Sequence, residues 1–284
     1  RVFGGDSVEA AMSTTHVAAA LARQGRHAEA EALDRAALAT LQARLPKTDQ
    51  RVVRSLGQTA LRLRAQGKEN EAEPLLRRCV ELLETTRGAS HPDTAAALNN
   101  LATCLMFQGR VDEALPLLER SIAIKRLAYG PDDPRVATSL QKMAELWLYQ
   151  RDDPERAQPF AEEAVAIRRK RLGPSDPRRA DAFHVLGCVR SRLGDPAAAE
   201  AMLLEALAIR SAVLRPDARQ IAETKAELGA AIGAQGRSDE ARMLLSDAVE
   251  RLTAALGPDD PATRRARAQL AALAPPPRAE DGRR

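Results

Sequence analysis

The stretch His91–Asp133, HPDTAAALNNLATCLMFQGRVDEALPLLERSIAIKRLAYGPDD, is one copy of a pattern that the chain spells six times. Its anchor, QGRVDEA, returns as QGRHAEA at Gln24, QGKENEA at Gln66, LGDPAAA at Leu193 and QGRSDEA at Gln235, with QRDDPERA at Gln150 as a degenerate copy. The closing alanines are Ala30, Ala72, Ala114, Ala157, Ala199 and Ala241, spaced 42 residues apart except for one step of 43. Seven residues later the side chains are again small: Ala37, Cys79, Ser121, Ala164, Ala206 and Ala248. Ahead of each anchor stands a third small column, Ala18, Ala60, Ala102, Ala144, Gly187 and Gly229. Large apolar residues such as Leu98, Leu101 and Leu105 run beside these columns at i, i+3 and i+7, which is one face of a helix.

Small residues let two helices approach closely, and the leucines and methionines beside them fill the remaining space. Each repeat therefore reads as a helical hairpin. The Gly of each QG step supplies the positive φ that ends the first helix, and the acidic residues after it favour the start of the second. Between hairpins the loops GPDDP at Gly130 and Gly257, GPSDP at Gly173 and SHPD at Ser90 are punctuation, with Asp as N-cap and Pro at the first helical position. The glycine spacing of a phosphate-cradling loop is absent.

The pattern predicts helix pairs at about 7–24 with 27–44, 49–66 with 69–86, 92–108 with 111–129, 134–150 with 154–172, 177–193 with 196–214, and 218–235 with 238–256. A capping helix at 261–274 brings Leu270 and Leu273 to the last hairpin and arginines to its outer side. The expected fold is all-α: an α-solenoid of six helix-turn-helix units and a cap over residues 1–274, followed by a disordered tail or linker at 275–284. Because FGGDS at Phe3 falls in the register of YGPDD at Tyr129, the chain is expected to be a fragment or the continuation of a longer solenoid.

Composition agrees with side-by-side amphipathic helices. One Trp, two Tyr and four Phe among 284 residues are too few for an aromatic-rich globular core, while 44% hydrophobic and 29% charged residues suit solvated helix faces. Lys plus Arg number 43 against 39 acids, and the arginines alternate with acids instead of forming a stripe, which argues against nucleic-acid binding. Only six of the basic residues are Lys, pointing to a GC-rich, bacterial genome. No apolar run reaches the roughly 18 residues of a membrane span, and a cytoplasmic location is expected. Cys79, Cys104 and Cys188 lie far apart without zinc or disulfide spacing, so no cofactor or metal is expected.

The run from Leu98 to Ala114, with the form L-x-x-L-A-x-x-L-x-x-x-G-x-x-x-E-A, resembles the tetratricopeptide repeat. The 42-residue period, LNNLA at Leu98 and the GPDDP loops resemble more narrowly the kinesin light chain type of that repeat. The resemblance covers about Ser7 to Ala274 and implies a right-handed superhelix whose first helices line a concave groove for a peptide or a partner helix. The Asn of LNNLA stands only in the third repeat; Thr15, Gly57, Gln141, His184 and Ala226 hold the matching position elsewhere.

Positions between the packing columns of the first helices would then face the groove. They are Arg54 and Arg64; Asn99, Thr103, Met106 and Phe107; Gln141, Glu145 and Tyr149; and His184, Cys188 and Arg192. Amides for a peptide backbone, an apolar strip and charges of both signs make this a surface for a protein or peptide partner. His184 and Cys188 stand one turn apart, but no third ligand, orienting carboxylate or catalytic motif accompanies them, so the chain is expected not to be an enzyme. Trp147, Cys79 and Cys104 are expected in the core. The sequence thus predicts a protein-interaction scaffold that takes an extended peptide or short helix in the groove of repeats three to five, with a sensor or regulatory arm of a larger bacterial kinase or STAND-type ATPase as the alternative.

Overall fold

A computed structural model describes residues 7–273. Thirteen α-helices make up those residues: α1 (Val8–Arg23), α2 (His27–Arg44), α3 (Gln50–Arg64), α4 (Glu69–Arg87), α5 (Pro92–Phe107), α6 (Val111–Tyr129) and α7 (Pro134–Glu145), then α8 (Pro154–Arg171), α9 (Pro177–Arg192), α10 (Pro196–Val213), α11 (Arg219–Ala234), α12 (Ser238–Leu256) and α13 (Pro261–Ala272). The expected opening loop at Phe3 and tail at 275–284 lie outside the described residues.

Helix starts follow the loop chemistry. Asp49, Asp133, Asp153, Asp176, Asp195 and Asp260 each accept a backbone N–H from the first turn of the helix they precede, and all but Asp49 are followed by Pro at the first helical position. His91 caps α5 through Nδ1, which takes the Asp93 N–H at 3.1 Å. Within five of the hairpins Gly25, Gly67, Gly109, Gly194 and Gly236 have φ between 71° and 82°, and the next N–H reaches back five residues, as Arg110 does to the Leu105 carbonyl at 2.9 Å.

The fourth hairpin differs because of its extra residue. A π-helical turn occupies Leu146–Gln150, and Asp152, with φ 49°, stands where the others have glycine. The Asp153 N–H then returns to the Trp147 carbonyl, six residues back, at 2.9 Å. Trp147, expected in the core, is only partly buried; the Arg156 guanidinium lies 4.8 Å from its ring centre.

The helices fall into two compact units that divide between Leu146 and Trp147. In the first, α1 to α7 pack each against the next; in the second, α8 to α13 do the same, with α11 also touching α9 and α13. The small columns form the seams. The six anchor alanines from Ala30 to Ala241 have no exposed surface. At Gly187 and Gly229 a Cβ would come within 2.7 and 2.8 Å of Leu203 and Leu245, so only glycine fits where these leucines cross. Cys79 and Cys104 are buried as expected. Leu270 of α13 and Leu273, the residue that follows that helix, close the core of the last hairpin against Leu245 and Leu252.

Candidate protein-interaction face

The first helix of each hairpin contributes the residues between the packing columns, and each unit carries its own set. In the first unit the expected residues divide into open and closed groups. Arg54 is exposed and has no partner among the described residues. Phe107 is 71% exposed and Leu61, one hairpin earlier, is 42% exposed. Arg64 lies between them in character: its guanidinium is 5.7 Å from the Phe107 ring centre, while its Nε donates to Glu69 at 3.3 Å. Leu61 escaped the sequence reading, although it stands in the same helical position as Thr103 and Glu145.

Asn99, Thr103 and Met106 are instead buried. The Thr103 hydroxyl donates to its own helix at the Asn99 carbonyl (2.7 Å), and Ser139 Oγ donates to Asn99 Oδ1 (3.0 Å). Ser139 thus occupies one lone pair of Asn99 Oδ1, and the amide nitrogen of Asn99 has no partner among the described residues. Gln141 and Lys142 both donate to Glu145, each at 2.6 Å, so these groups hold one another on α7. Between α1 and α3 lies a shallow polar pocket whose lining includes Thr15, His16, Arg51, Arg54, Ser55 and Gln58 and no acidic residue.

The second unit fills its own face. His184 Nε2 lies 3.7 Å from Cys188 Sγ, and the buried His184 Nδ1 has no partner. Burial, then the charges of Arg210 and Arg265, pulls the His184 imidazolium down to about 3, and burial pushes the Cys188 thiol well above its ordinary range. At neutral pH this pair is a neutral, weakly basic imidazole beside a neutral thiol, and the two shifts oppose transfer of the thiol proton to the ring. Burial also raises the Glu227 carboxyl despite Arg265 at 3.6 Å, and Arg265 lies 5.9 Å from the ring of the half-exposed Tyr149. Arg192 pairs with Asp152 at 2.7 Å. Among the described residues no group of His, Cys, Asp and Glu could hold a metal ion, and no helix is long and apolar enough to cross a membrane.

The QG-R/K anchors have a second role that the sequence did not reveal. Gln66 and Lys68 both donate to Glu31 of the preceding hairpin (2.6 and 2.7 Å), Gln108 and Arg110 to Glu73 (3.0 and 2.7 Å), and Gln235 and Arg237 to Glu200 (2.6 and 2.7 Å). Each Glu directly follows an anchor alanine. The anchor thus clamps one hairpin to the one before it.

Family profiles described as "Tetratricopeptide repeat" match residues 8–85, 93–170, 146–212 and 221–262. Among solved structures, the nearly identical TPR-like repeats of a kinesin light chain-type protein from Podosopora anserina are similar at 26% identity and a TM-score of 0.60, over 74% of this chain and 98% of that one. BtubC (BKLC) from P. vanneervenii is similar at 22% identity and TM-score 0.60, over 95% and 93%. A signal transduction ATPase with numerous domains (STAND) and a tetratricopeptide repeat sensor, from Pyrococcus horikoshii, is similar at 14% identity and TM-score 0.66, over 93% of this chain and 38% of that one. No curated protein matches.

Proposed function

Because the chain belongs to the tetratricopeptide repeat family, we propose that it is a non-enzymatic interaction module that captures an extended peptide or short helix of a partner protein on the first-helix face of its first unit. The observation that carries this reading is the exposure of Phe107 and Leu61 on that face with the Arg64 guanidinium on the Phe107 ring. Large apolar side chains left in water beside an arginine are the composition of an interface anchor. The unpaired Arg54, next to a pocket without acids, favours an acidic group in the ligand. The amide nitrogen of Asn99 would offer the peptide backbone a donor, while the buried Thr103 and Met106 and the mutually bonded Gln141 and Glu145 support the face without contacting the ligand. Tyr149, His184 and Arg192 belong to the second unit, where contacts among the chain's own side chains leave less to offer.

The test is a peptide selected from a displayed random library on the whole chain. Phe107→Ser together with Arg54→Glu should weaken its binding at least tenfold with helical content unchanged. Equal binding by that variant overturns the assignment of the face.

A second reading, a sensor arm of a larger signalling protein, is favoured by the similarity of nearly all of this chain to 38% of the STAND protein. An immunoblot of the native gene product separates the two. A band near 30.7 kDa supports a free-standing adaptor, and a much larger band supports the arm.

A further inference from the structure

Lys125 of α6 is a lysine without an acid. It is 6% exposed, and among the described residues no carboxylate pairs with it. Its Nζ donates to Ser139 Oγ of α7 at 2.7 Å. Ser139 in turn donates to Asn99 Oδ1 of α5 at 3.0 Å and lies 3.1 Å from Ser121 Oγ, whose own proton goes to the Ala95 carbonyl at 2.8 Å. Ser121 and Ser139 have no exposed surface.

Neighbouring repeats show how unusual this is. The same register holds Leu41, Leu83 and Leu252 in three repeats and Arg168 and Arg210 in two. Arg210, equally buried, reaches Thr224 at 2.6 Å, the Gln220 carbonyl at 3.0 Å and the Asp181 carboxylate at 2.9 Å. Lys125 has a single hydroxyl for three N–H groups, so its charged form is poorly satisfied.

Proton counting gives the network two states. A serine hydroxyl has one proton. While Lys125 is an ammonium it can only donate, so Ser139 must accept from it and has its one proton to give away from Lys125, to Asn99 Oδ1 at 3.0 Å with Ser121 Oγ at 3.1 Å as the other acceptor in reach. A neutral amine has a lone pair, and Ser139 can turn its proton to Lys125, which releases Asn99 Oδ1. We propose that Lys125 and Ser139 form a proton-responsive relay that sets which hydrogen-bonding group Asn99 presents to the first-helix face. In the charged state Oδ1 is held and Asn99 offers a donor; in the neutral state the amide is free to offer either end. The consequence for ligand capture rests on the reading of that face given above, but the relay itself is testable without a ligand.

Its charged surroundings do not compensate the ammonium. Of the titratable groups on α5, Asp93 lies at the helix start with Arg87 and His91 at 3.7 and 3.6 Å, and Cys104 is a thiol held up near 12, chiefly by burial. On α7, Arg135 is held by Asp133, and Lys142 and Glu145 pair with each other. Burial first, and the Arg135 charge second, brings the Lys125 ammonium down to about 8.

The chain has six lysines and three asparagines, Asn70, Asn99 and Asn100, so selective isotope labelling of the full chain gives countable signals. In NMR titrations from pH 6.5 to 10, one lysine signal should move with a midpoint near 8 and vanish in Lys125→Met. The Asn99 side-chain amide, identified by its loss in Asn99→Ala, should move with the same midpoint. In Ser139→Ala the lysine should still titrate low while Asn99 no longer follows it. That variant decides the matter alone if Lys125→Met does not fold. A Lys125 midpoint at the ordinary lysine value of about 10.4 overturns the proposal. So does an Asn99 signal that stays still in the wild type or still follows in Ser139→Ala.

Discussion

At Gly187 a hydrogen stands where four other repeats have alanine, and the reason is the Leu203 side chain, 2.7 Å from where a Cβ would be. Gly187→Ala should therefore lower stability, although alanine is the better helix former, by about 1–3 kcal/mol as in other overpacked seams; urea unfolding measures it. Asp152 poses the opposite case, a non-glycine residue at φ 49° in the turn where five repeats have glycine. Its ion pair with Arg192 is mostly exposed and contributes little. Asp152→Gly should accordingly raise stability, by about 0.5–1 kcal/mol for relief of the left-handed conformation, seen as an upward shift in thermal midpoint. Lys125→Leu restores the residue of three sister repeats and should stabilise the chain at pH 7. In the folded state the lysine loses its proton near 8, well below its unfolded value. The burial penalty is thus fully present below pH 8 and is relieved as pH rises from there toward about 10.4, so the advantage of leucine should shrink over that window. Denaturant midpoints at pH 7 and pH 10 report the difference.

At the scale of the element, helix boundaries follow from local chemistry and were legible in the sequence to within one or two residues almost everywhere. Asp-Pro starts and Gly stops act within a few bonds of the residues that encode them. The exceptions are informative. The π-helical turn at Leu146–Gln150 absorbs an inserted residue whose presence the sequence shows but whose placement depends on packing. The clamps on Glu31, Glu73 and Glu200 join residues about 35 apart, and nothing in the local pattern separates a capping anchor from one that also grips its neighbour. These clamps carry a pH dependence. The Lys68 ammonium, with Gln66 and Arg35, holds Glu31 below the usual carboxylate range, and Arg237 with Gln235 does the same for Glu200. Their contribution is complete above the unfolded carboxylate value near 4.3 and is lost as pH falls through the lower folded values. The chain should lose stability on acidification below pH 4.5, and Glu31→Gln with Glu200→Gln should flatten that slope in acid-titrated thermal melts. A slope unchanged by the double variant would mean the clamps contribute nothing.

At the scale of the molecule, the period of the small columns made the helical repeat fold readable because every repeat buries the same alanines. Which residues of the candidate face stand open was less readable, for a physical reason. Helical periodicity says which side of a helix a residue occupies, but not whether a neighbour covers it. Asn99, Thr103 and Met106 occupy the expected side and are nonetheless buried, whereas Leu61, on the same side, is open. Phe107 and Arg54 are exposed at positions that no packing column uses, whereas Arg64 is largely covered. If the first unit holds its partner on this face, the affinity of a bound peptide depends on the exposed Phe107 and Arg54. The most direct measurement is the dissociation constant of a library-selected peptide for the whole chain, compared between the wild type and Phe107→Ser with Arg54→Glu. At least a tenfold loss of affinity with unchanged helical content is expected; equal affinity in the two proteins would overturn the assignment of the face.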